Sequence, residues 1–106
     1  MTEATPRTVR EWTGTTVTIT APEGLHARPV IKLSRLARRF ASSIQVGLTG
    51  QEHWVDGKSV ARLMALRAER GQSLALRAMG ADADAALAAL VALVERDFVE
   101  EGGAGA

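Results

Sequence analysis

The sequence contains no cysteine, which removes disulfides, thiolate metal sites, iron–sulfur clusters and a cysteine nucleophile together. It also contains no tyrosine, and aromatic residues make up only 4% of the chain. Base stacking on single-stranded nucleic acid therefore has little to work with. The longest apolar run, Ala85 to Val94, falls far short of the ~20 residues that a spanning helix needs. Met1 to Trp12 mixes Thr, Glu, Pro and Arg without an apolar core, unlike a secretory signal or anchor. The expectation is a soluble cytoplasmic protein with no membrane insertion and no nucleic-acid partner.

Charge of one sign is missing over one long stretch. Thirteen basic residues stand against twelve acidic ones, for a net charge of +1. Yet no Asp or Glu occurs from Gly24 to Gln51, while Arg28, Lys32, Arg35, Arg38 and Arg39 all do. One segment is therefore strongly basic in a nearly neutral chain.

With 106 residues and 46% hydrophobic content, the chain suits one domain with its own core. Residues 1–13 and the Gly/Ala tail, 99–106, lack periodicity and are expected to be loose, leaving a folded unit over 14–98. Thr15 to Thr20 alternates with Val17 and Ile19 on one face, as a half-buried strand does. Leu33, Leu36, Ala37 and Phe40 recur at helical spacing, predicting an amphipathic helix from near His26 to Phe40. Ile44, Val46 and Leu48 alternate again, with Trp54-Val55 as a return strand before Asp56-Gly57. Lys58 to Leu66 suits a short helix capped by Ser59. Ser73 to Met79 alternates as a fourth strand. Asp82 or Asp84 then caps a final helix with the stripe Leu87, Leu90, Val91, Val94 and Phe98. The order β-α-β-β-α-β-α predicts an α+β open-faced sandwich, a four-stranded antiparallel sheet covered on one face by three helices.

The segment Gly24-Leu25-His26-Ala27-Arg28-Pro29 carries the chemistry. Proline is tolerated in the first turn of a helix, where its missing N–H would have had no partner, so His26 stands at or beside the N-cap. The amides of Ala27 and Arg28 and the positive end of the macrodipole attract an anion, and Arg28 offers a guanidinium shaped for phosphate. A neutral imidazole keeps one lone-pair nitrogen for nucleophilic attack. These residues alone support a phosphate site around an imidazole, or an ordinary helix-start histidine. His53 has only Asp56 at metal-binding spacing, so no metal site and no cofactor are expected.

This segment resembles the active-site motif of the HPr family, the histidine-containing phosphocarriers of the bacterial phosphoenolpyruvate-dependent sugar phosphotransferase system. Asp56-Gly57-Lys58-Ser59-Val60, followed by Leu63-Met64, resembles the family's regulatory serine segment, and the element order is that of its open-faced sandwich. The resemblance implies that His26 accepts a phosphoryl group at Nδ1 from enzyme I and passes it to enzyme IIA components. Arg28 would stabilise the phosphohistidine, and Ala27 and Arg28 would supply backbone donors. Ser59 would be a regulatory phosphorylation site for an HPr kinase/phosphorylase. Pro29, Lys32, Val60, Leu63 and Met64 would meet partners, and the carrier would act as a monomer. Alternatives are a carrier of the nitrogen-regulatory phosphotransferase branch and a non-carrier module switched at Ser59. The chain departs from the family pattern at Arg67, where many members have glycine, and at Ala61-Arg62, where a second large apolar residue is common.

Overall fold

The computed structural model describes residues 11–99. Apart from Glu11 to Thr13 and Val99, the expected loose ends at 1–13 and 99–106 lie outside them. The elements run β1 (Thr13–Thr18), α1 (Ala27–Ala37), β2 (Ser43–Leu48), β3 (Val55–Asp56), α2 (Val60–Ala65), β4 (Ser73–Met79) and α3 (Ala83–Glu95). The sheet order is β1-β4-β2-β3, antiparallel at every pairing. This is the α+β open-faced sandwich expected from the sequence.

Period-two alternation places Val17, Ile44, Val46, Leu48, Leu74, Leu76 and Ala78 in the core. The register pairs Val17 with Leu74 and Val46 with Leu76, so apolar side chains meet across strands on the covered face. Helix α3 packs on β1 and β4, while α1 touches both α2 and α3. On the open face, Arg77 stacks its guanidinium 4.4 Å from the Trp12 ring centroid and 4.1 Å from that of Trp54. It also donates to Gln45 Oε1 at 2.8 Å, directly across the β2–β4 register. Two of the chain's few aromatics thus cover an otherwise exposed cation, each such contact worth about 0.5–1 kcal/mol.

Several boundaries and roles differ from the sequence reading. Strand β1 begins at Thr13 rather than Thr15 because Thr13 already pairs with Ala78. Helix α1 ends at Ala37, and Arg39 and Phe40 bond back in tight turns to Leu36 and Ala37 instead of continuing to a helical Phe40. On α3, Leu93 is buried where Val91 is only half covered. Phe98 lies beyond that helix: its amide bonds Leu93 at 2.8 Å and that of Asp97 bonds Val94 at 3.0 Å. This pair is a Schellman closure that folds the Phe98 ring back onto the core.

Asp82 occupies the N-cap position of α3 but makes no side-chain cap. Its dihedrals are not the extended ones of a capping residue, and its carboxylate is taken by the α1–β2 connection. It accepts from the Ser42 hydroxyl, from the Ala41 amide at 2.8 Å and from the Ser42 amide at 2.9 Å. The Ser42 hydroxyl, then these amides, hold its carboxyl below the usual carboxylate range. A group with a depressed folded pKa contributes stability above its unfolded pKa and loses it as pH falls through the folded one. Denaturant titrations should therefore show wild type losing stability on acidification below the ordinary carboxylate range. Asp82→Asn should remove that part of the acid sensitivity and start less stable at neutral pH.

Candidate functional site

The loop before α1 is shaped by Gly24. Its φ of +65° favours glycine, and a Cβ there would lie 2.7 Å from the Ala68 carbonyl oxygen and 2.9 Å from Glu69 Cα. This close approach lets the Leu25 amide bond the Ala68 carbonyl at 2.9 Å. The residue before His26 is thereby tied to the turn that follows α2.

His26 is the N-cap residue of α1, extended at φ −95° and ψ −169°, and its exposed side chain makes no capping bond. Its carbonyl accepts from Val30 at 3.0 Å, which closes the first helical turn. Pro29 sits third in the helix and Arg28 is helical despite preceding it. The first amides of a helix have no intrahelical acceptor, and no acidic residue stands in this first turn. Ala27 and Arg28 therefore direct amides at the helix end that carries His26, and the Arg28 side chain is exposed. On its other side, His26 shares an open hollow of about 550 Å3 with Ala61, Met64, Ala65, Arg67, Ala68 and Glu69.

The remaining sequence-predicted residues separate. Pro29 is buried and Leu63 has 0% exposure, so neither presents surface to a partner. Leu63 belongs to the hydrophobic core cluster. Val60 is half-buried against the core, whereas Met64 is 38% exposed and opens onto the hollow. Lys32 donates its ammonium to the Phe98 carbonyl at 2.9 Å, so part of its role is to hold the end of α3. Ser59 caps α2, its Oγ accepting from the Arg62 amide at 3.2 Å. The neighbouring Lys58 is held by α1 and the turns that end it: its carbonyl accepts from Ser34 Oγ at 3.0 Å and Arg38 Nε at 3.1 Å, and its ammonium donates to the Phe40 carbonyl at 2.8 Å. Among the described residues, no three His, Cys, Asp or Glu side chains converge as a metal site, and no helix is long and apolar enough to cross a membrane.

Sequence reasoning missed Ile31, which is 42% exposed on α1, because it lies off the helix's apolar stripe. It also missed what Arg67 adjoins. Arg67 has φ +54°, a left-handed conformation that costs a residue with a Cβ roughly 1–2 kcal/mol. The signal was present as an arginine where the family commonly has glycine.

The family model described as "PTS HPr component phosphorylation site" matches residues 14–96. The chain belongs to the HPr family. A phosphocarrier protein HPr from Pseudomonas aeruginosa is 40% identical over 84 residues, covering 79% of this chain and 92% of that protein. A phosphocarrier protein NPr from Shewanella violacea is also 40% identical over 84 residues, covering 79% of this chain and 90% of its own. The crystal structure of an HPr from Thermoanaerobacter tengcongensis superimposes with a TM-score of 0.77 at 36% identity, over 84% of this chain and 98% of that one. Family, fold and the phosphocarrier class of the phosphotransferase system follow from these matches.

Proposed function

We propose that His26 is the phosphoryl acceptor of an HPr-type carrier. Its exposed imidazole makes no capping bond at the acid-free N-terminus of α1, and Arg28, also exposed, stands two residues on in the first turn. In this reading Nδ1 attacks the phosphorus carried by enzyme I, and the bond to the donor breaks as the new N–P bond forms. The three equatorial oxygens then carry the charge, which the amides of Ala27 and Arg28 and the Arg28 side chain neutralise. Reversal of these roles delivers the group to an enzyme IIA component. Little covalent machinery is needed, since phosphoryl transfer is governed by alignment and charge.

Partner docking falls to the exposed apolar pair Ile31 and Met64 with the basic residues around them, the half-buried Val60 contributing at the margin. One chain supplies every group of the site, which suits a monomeric carrier acting in the cytoplasm. Ser59 serves as the α2 cap and as a regulatory site for an HPr kinase/phosphorylase. A phosphate there adds nearly two negative charges to a surface suited to acidic partners. Ser59→Asp is expected to slow phosphorylation by enzyme I severalfold in a stopped-time assay, and an unchanged rate counts against this regulatory role.

The reading is tested by intact-protein mass after incubation with phosphoenolpyruvate and enzyme I. A single phosphoryl gain that is lost in mild acid supports it, whereas no gain, or an acid-stable one, removes it.

A further inference from the structure

We propose that Arg67 is a second phosphate-contacting residue of the His26 site, an inference that rests on His26 being the phosphoryl acceptor. Three observations converge on it. Arg67 lines the same hollow as His26, from the side of α2 opposite the α1 helix end. Its position is fixed, because the next residue, Ala68, accepts from the Leu25 amide at 2.9 Å and Gly24 packs directly on residues 68–70. The two segments are thus stitched together immediately before His26 and immediately after Arg67.

The third observation concerns what the side chain does. The turn after α2 needs a positive φ to swing the Ala68 carbonyl towards Leu25, and glycine meets that need without strain. Arginine adopts it at φ +54°, and its exposed guanidinium pairs with no side chain among the described residues. Strain of this kind persists where the surroundings impose it and clusters at functional sites. Glu69 also borders the hollow, and its carboxylate is the acidic group there. An unpaired guanidinium lining the same hollow as an imidazole that carries a phosphoryl group would gain a charge-assisted, bidentate contact on reaching it. Arg28 and Arg67 would then approach the phosphoryl oxygens from two elements, while Ala27 and Arg28 offer amides from the helix end.

The test compares wild type with Arg67→Gly and Arg67→Lys by uptake rate from phosphoenolpyruvate and enzyme I, lifetime of the isolated phosphoprotein, and its 31P resonance. Loss of one charge-assisted contact corresponds to about a tenfold change in rate. Arg67→Gly is expected to melt higher than wild type, because the strain is gone. Yet it should take up phosphate about tenfold more slowly, with a shorter phosphohistidine lifetime and a displaced resonance. Arg67→Lys should recover part of each loss.

A glycine variant with wild-type uptake, lifetime and resonance overturns the proposal and leaves the carrier reading standing. Slower uptake with unchanged lifetime and resonance assigns Arg67 to partner docking and also overturns it. A wild type that gains no phosphoryl group overturns the carrier reading and this inference together.

Discussion

His26→Ala is expected to abolish phosphoryl uptake from phosphoenolpyruvate and enzyme I, while its unfolding free energy in urea stays within about 0.5 kcal/mol of wild type. Both halves follow from the position of the residue. The imidazole is exposed, caps nothing and contributes nothing to the core, so removing it leaves the packing unaltered. The backbone carbonyl that bonds Val30 remains in the variant. Alanine has no nucleophile, however, and the amides of Ala27 and Arg28 can gather a phosphoryl group without accepting it covalently. Intact mass and chemical denaturation on the same preparations check the two halves separately. A variant that folds and still gains an acid-labile phosphoryl group places the chemistry on another residue.

Leu63→Ala and Met64→Ala, adjacent in sequence, separate completely. Leu63 has 0% exposure on the inner face of α2, so truncation leaves a cavity costing about 2–5 kcal/mol. In a domain of this size, each kcal/mol lowers the melting temperature by about 4–8 °C. Met64 is 38% exposed and borders the His26 hollow, so its truncation costs stability little. Its effect should appear instead as a higher KM of enzyme I for the carrier, with a normal melting temperature. Calorimetry and enzyme I kinetics on both variants decide the assignment. Equal melting temperatures would show that Leu63 is not the core residue of α2.

The His26 motif was legible because its meaning is local. A histidine, two amides and an arginine at a helix start are the groups of the proposed phosphate site, and Pro29 marks that start, which the structure places at Ala27. Ser59 was legible for the same reason, since a cap needs only the amide three residues on. Asp82 reads as a cap by the same local rule, yet Ala41 and Ser42, remote in sequence, offered it three donors and won. The apolar pattern of the short α2 segment marked Leu63 and Met64 alike, and only packing against the rest of the fold buried the first and exposed the second.

By itself, then, the amino-acid order determined the succession of strands and helices, the inward set on each strand and the position of His26 at the start of α1. Each of these depends on neighbours within a turn or a pleat. Tertiary structure alone decided that Arg67 lines the same hollow as His26, that Arg77 lies between Trp12 and Trp54, and that the end of α3 is held by Lys32. Those pairings join segments far apart in the chain. Periodicity says which face of an element is apolar, but not which distant element closes over it.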